Sequence, residues 1–213
     1  MKLYKLTDGD GQTRNGTQWG PGVSHSGTGE DELCGPGWIH AYEHPLIAVL
    51  LNPIHADFQN TRMWEAEGDV GLRDGQLKCG CATLTTIREI PLPEITAEMR
   101  VRFAILCAKY VRACSAWNAW ADKWLSGEDR SAEAAAVASR AAYDASRAAY
   151  DVEALAAETA AAAAYRSARA SALAAETAAS AASAAYRSTR SACCGMDLAA
   201  IAEKACAKKD GDG

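Results

Sequence analysis

The chain has 213 residues, 49% of them hydrophobic, and a net charge of −5, a length that suits one large domain or two small ones. The charge is uneven: residues 1–95 hold 7 lysines and arginines against 13 aspartates and glutamates, and residues 96–213 hold 15 against 14. The acidic front argues against a nucleic-acid footprint, which needs clustered positive charge, and no stretch offers the roughly 20 apolar residues of a membrane span without interruption by charge.

Taken in chain order, MKLYKLT over 1–7 predicts a strand, with Asp8-Gly9-Asp10-Gly11 as the turn after it. Nine glycines between Gly9 and Gly37 mark a long loop-rich excursion of the kind that often carries function. A short strand is expected over Trp38–Tyr42. A two-turn helix then opens at Pro45, where the missing N–H is harmless, and stops at Asn52-Pro53. Arg62–Glu67 alternates as a strand that places Met63, Glu65 and Glu67 on one face, with Gly68 and Asp74-Gly75 punctuating the next connection. Leu77–Ile90 predicts one longer strand or a bent pair. Pro91-Leu92-Pro93 is a stiff extended hinge.

Thr96 is a good N-cap for a helix reaching about Leu125, whose Trp117, Trp120 and Trp124 form an aromatic stripe at helical spacing. Such a stripe is either core or a docking face, and it is the candidate binding surface. Ser126-Gly127 breaks the helix. From Ser131 to Ala192 there is neither glycine nor proline, and alanine's helix propensity summed over that length predicts helix throughout. Internal repeats reinforce this reading: SRAAYDA at 139–145 is followed by SRAAYDV, and LAAETA and YRSxR each return later. Unbroken, those 62 residues would make a rod of about 93 Å. Alanine buries little area, so such a rod needs a neighbour, either itself in a hairpin or a second chain. Gly195 ends the segment, and Asp197 caps a short terminal helix.

Phosphate-binding glycine loops are missing, and the DGDG segment departs from a calcium loop at its sixth and twelfth positions, Thr13 and Trp19. The eight cysteines come without a secretory leader, because MKLYKLTDGD has no apolar run. Reduced thiols in a cytoplasmic compartment are therefore expected. Cys34, Cys79 and Cys81 together with His25, His40, His44 and His55 supply possible metal ligands, but the spacing fits no common zinc pattern. No metal or other cofactor is expected. Cys34 near His40 is the nearest approach to a nucleophile and its base. Thr159 and Thr177 lack the short regular repeat of an ice-binding helix.

Glu65 and Glu67 point the same way from one strand. This E-x-E pattern resembles that of the ADP-ribosyltransferases, which implies a catalytic pair, with His40 or Tyr42 alongside in the alternative enzymatic reading. The first strand, however, has neither the arginine nor the histidine that this family places there. As a whole, residues 1–94 resemble a family of uncharacterised phage-encoded proteins. The resemblance rests on Gly37, Trp38, His40 and Ala41, then Pro45, then Trp64, Glu65 and Glu67. It implies a small front domain followed by an alanine-rich repeat, without a defined activity.

The sequence therefore predicts an α+β protein: a small, mostly antiparallel sheet domain with one short helix over 1–94 and a connecting amphipathic helix over 95–127. A long alanine-rich helical hairpin or coiled-coil-like tail over 128–194 and a short terminal helix over 195–213 follow. The expected function is that of a non-enzymatic, phage-type accessory protein in the bacterial cytoplasm, with an anti-defence role among those that fit. It would bind a protein partner through the front domain and self-associate through residues 131–192, with no membrane and no nucleic acid involved.

Overall fold

Alternating strands and glycine turns build a sheet in residues 1–94, and helices occupy residues 95–213. The chain divides between Glu94 and Ile95, directly after the Pro91-Leu92-Pro93 segment. The computed structural model describes residues 1–110, 115–149, 158–165, 174–191 and 195–207.

In the first unit, β1 (Lys2–Thr7), β6 (Arg62–Asp74), β7 (Lys78–Ile90) and β4 (Ser24–Ser26) lie side by side in that order. β5 (Ile39–Ala41) also pairs with β7, and every pairing is antiparallel. A small hairpin of β2 (Gln12–Thr13) and β3 (Thr17–Gln18) stands apart. Tyr4 and Tyr42 exchange backbone hydrogen bonds of 2.8 and 2.9 Å, which brings the end of β5 back to β1. The sheet thus curls upon itself. Its concave side buries Leu3, Trp19, Ala41, Ala66, Cys79, Cys81 and Leu84 in one cluster. On the opposite side of β1 and β6, Leu6 and Met63 are buried as well.

Two local expectations change here. β6 does not stop at Gly68 but runs to Asp74. A Cβ on Gly68 would lie 2.6 Å from the Thr83 carbonyl oxygen and 3.2 Å from Cys81 Sγ, so this glycine permits close strand approach and marks no turn. The helix α1 (Pro45–His55) likewise continues past Asn52-Pro53. Pro53 falls in its final turn, where Asn52 secures the exit: its amide donates to the Phe58 carbonyl and its Oδ1 accepts from Phe58 N–H.

The second unit contains α2 (Ala97–Tyr110), α3 (Ser115–Ser126), α4 (Ala132–Ala149), α5 (helical residues 158–165), α6 (Ala174–Ser191) and α7 (Leu198–Cys206). Two caps follow the sequence, Thr96 Oγ1 accepting from Met99 N–H and Asp197 from Ala200 N–H, and α4 is capped by Ser131 Oγ, which accepts from Ala134 N–H. Whether helix continues through 111–114, 150–157, 166–173 and 192–194 lies outside the described residues.

The expected tail is corrected by the packing. Ala135, Ala138 and Ala142 of α4, Ala160, Ala161, Ala163 and Ala164 of α5, and Ala181 and Ala184 of α6 share one interior. That interior also holds Val101 and Ile105 of α2 and Trp117, Trp120 and Trp124 of α3. A hairpin or a coiled-coil-like tail made from the alanine repeat alone does not bring these positions together with α2 and α3. Alanine propensity fixes helix but not helix length, and the indoles of α3 supply the large surface that alanine lacks.

Candidate functional site

The chemistry of the first unit gathers on the concave side of the curled sheet, around a lysine. Alternation along β1 turns Leu3, Lys5 and Thr7 to that side. Lys5 is 8% exposed, and its Nζ donates to the His40 carbonyl at 2.7 Å and stands 5.0 Å from the centre of the Trp19 ring. Burial pulls its pKa down to about 8, against a smaller upward influence of Cys81 and Cys79.

Cys79 and Cys81 face the same cluster from β7 and are fully buried. Gly80 lies between them because a Cβ there would meet Leu33 Cδ1 at 2.6 Å. Cys79 Sγ donates to the Ala41 carbonyl at 3.4 Å, and the interaction between the two thiols lowers the pKa of Cys81 and raises that of Cys79. The Lys5 ammonium adds to the lowering at Cys81, and burial adds to the raising at Cys79. The strand pattern of a C-x-C pair makes the shared face of Cys79 and Cys81 legible in sequence. Lys5 is not legible in the same way, because leucine or tyrosine stands beside a lysine on both faces of β1.

The residues singled out from sequence are not gathered into one site. Glu65 on β6 is clamped between Lys2 at 3.1 Å and Arg88 at 2.6 Å, and hydrogen bonds from these two hold its carboxyl below the usual range. Glu67 is exposed two residues further on. His40 belongs to β5, which pairs with β7, and Tyr42 follows directly and bridges to Tyr4 of β1, so neither pairs with β6. His40 Nε2 donates to the Leu33 carbonyl, and burial lowers its pKa. Tyr42 is buried, stacks on His55 and shares a 3.1 Å hydrogen bond with its Nδ1. Burial drives Tyr42 up and His55 down to about 4. Cys34 is exposed and accepts from Lys78 Nζ at 3.2 Å. Among the described residues no three metal-binding side chains converge. Trp117, Trp120 and Trp124 lie in the interior of the second unit, at most 7% exposed, so of the two roles open to the stripe they occupy the core one.

The surface of the first unit is electrostatically lopsided. Lys2, Arg62, Arg73 and Arg88 are engaged by Glu65, Glu89 and Glu43, Lys78 by Cys34, and Lys5 is buried. Glu30, Asp31, Glu32, Asp57, Glu67 and Asp69 are exposed and carry no ion pair among the described residues. Trp38 gathers part of this charge. Its ring lies on Gly71 so closely that a Cβ there would stand 2.3 Å from it, and its Nε1 donates to the Asp31 carbonyl at 3.0 Å. The Glu30-Asp31-Glu32 run is thereby held near the stretch of β6 that carries Asp69. In the second unit a cleft of about 400 Å³ is lined by Ala136, Ser139, Arg140, Glu158, Ala162 and Tyr165. Its two charges are of opposite sign, so the cleft does not select one ligand charge.

Among the described residues no helix is long and apolar enough to cross a membrane. No protein-family model, curated protein or solved structure matches this chain.

Proposed function

We propose that the protein is a non-enzymatic binding protein whose first unit engages a protein partner with a basic surface, as a phage-type accessory factor with an anti-defence role would. The observation that carries this reading is the Trp38 seat. It ties the backbone of the Glu30-Asp31-Glu32 run, whose carboxylates make no ion pair among the described residues, to Gly71 of β6, while nearly every cation of the unit is already engaged. Fixed charge of one sign steers association with an oppositely charged surface and disfavours phosphate backbones. Glu65 is engaged by Lys2 of β1 and Arg88 of β7 and ties β1, β6 and β7 together.

The reading is tested with the full chain immobilised and exposed to bacterial lysate beside a variant carrying Glu30→Gln, Asp31→Asn, Glu32→Gln and Asp69→Asn. A partner should be retained by the parent, released as ionic strength rises, and lost from the variant. Equal retention by both proteins rejects the proposal.

A further inference from the structure

We propose that Cys34 and Lys78 form an acylation site, in which Cys34 takes an acyl group from a small thioester and hands it to the Lys78 amine. Lys78 Nζ stands 3.2 Å from Cys34 Sγ, across 44 residues of sequence. Cys34 is exposed and Lys78 only partly buried, so a reagent in solution reaches both. The site is the pair. A thiol alone would hold an acyl group until it hydrolysed, and an amine alone meets a thioester only by collision. Neighbours in contact exchange the group at the high effective concentration of an intramolecular step.

Both partners are held by their neighbours. The Leu33 carbonyl accepts from His40 Nε2, and a Cβ on Gly80 would lie 2.6 Å from Leu33 Cδ1. Gly35 N–H donates to the Glu32 carbonyl at 2.7 Å, so the residues on either side of Cys34 are tied. Lys78 opens β7 opposite Asp74, and Leu77 N–H donates to the Asp74 carbonyl at 2.9 Å. His40, the expected base for Cys34, thus secures the residue before the thiol, and Lys78 is the nitrogen in contact with the sulfur. Glu30, Asp31 and Glu32 lie just before the thiol and disfavour a polyanionic carrier, so the acyl donor is a thioester of low charge.

The transfer needs no oxidant. Cys34 gives its proton to solvent, and the thiolate attacks the acyl carbonyl. The thioester C–S bond breaks, and the carrier sulfur leaves and takes up a proton. Lys78 gives one ammonium proton to solvent, and its nitrogen attacks the carbonyl of the Cys34 thioester. That C–S bond breaks, and a second nitrogen proton passes to Cys34 Sγ. The products are an amide on Lys78, the regenerated Cys34 thiol, the free carrier thiol and one proton released to solvent. Lys78 loses its positive charge in the exchange.

The full-length chain is incubated with the acetyl thioester of N-acetylcysteamine, and peptides are mapped by mass. Lys78 should gain an acetyl group that hydroxylamine does not remove, and gain it faster than Lys2 and Lys123, which are engaged by carboxylates. Cys34→Ser should slow acetylation of Lys78 by about tenfold or more and leave Lys2 and Lys123 as they were. Lys78→Arg should stop at an acetyl thioester on Cys34 that hydroxylamine cleaves. Equal acetylation of Lys78 in the parent and in Cys34→Ser, or an acetyl group that stays on Cys34 in the parent, overturns the proposal. No partner takes part in this reaction, so its outcome is read apart from the binding test.

Discussion

The two units of this chain solve the burial problem in opposite ways. The first closes a curled sheet over mixed, medium-sized side chains and tolerates an ammonium, two thiols and partly buried imidazoles inside or against it. The second lays alanine faces against three tryptophans. Close backbone approach makes a small-residue interior intolerant of volume change. A mixed polar interior is sensitive chiefly to protonation. The contrast teaches where each unit should break.

The largest effect is expected in the second unit. Trp117 is fully buried, and Trp117→Ala should cost about 3–5 kcal/mol. Thermal melting followed by far-ultraviolet circular dichroism should show the helical transition falling while the sheet unit keeps its own. A single transition lowered as a whole would mean the units do not melt separately and would weaken the comparison.

Acid should act on the first unit instead, since all four histidines lie there. His55 titrates near 6.5 when unfolded and near 4 when folded. Between those values the unfolded chain binds more protons, so stability is full above pH 6.5 and is lost as pH falls towards 4, by roughly 2–3 kcal/mol. His40, lowered in the same direction, adds to the loss. Urea denaturation at a series of pH values checks this, and His55→Phe should flatten the curve.

Overpacking gives the next test. Ala161 is fully buried among the indoles and neighbouring alanines, so Ala161→Leu should destabilise by about 1–3 kcal/mol. If the alanine face were instead open to a second chain, the same change would strengthen self-association, which light scattering would register.

The smallest effect has the opposite sign. A buried amine lowered from 10.5 to about 8 penalises the folded state below pH 8, and the penalty fades as pH rises towards 10.5 because the unfolded chain then holds more protons. Lys5→Met removes the penalty but leaves the His40 carbonyl without its donor. A net gain of about 1–2 kcal/mol at pH 7 is expected, shrinking above pH 8. A loss of stability at pH 7 would show that the hydrogen bond to His40 outweighs the desolvation of the charge.

The local order of the chain was legible from residue chemistry: strands at Lys2–Thr7 and Lys78–Ile90, the proline-started α1, and the caps at Thr96 and Asp197. These features depend on neighbours a few positions away, and alternation, φ restriction and capping act at that range. The shared face of Cys79 and Cys81 was legible for the same reason. What tertiary structure alone decided was which face of each element is inside. β1 carries apolar groups on both faces, so only the return of β5 through the Tyr4–Tyr42 bridge turned Lys5 inward. The alanine repeat specifies helix at every position yet offers no large side chain to choose a partner. The tryptophans of α3, which lie outside the repeat, made that choice, and a bundle stands where a hairpin or coiled-coil-like tail was expected.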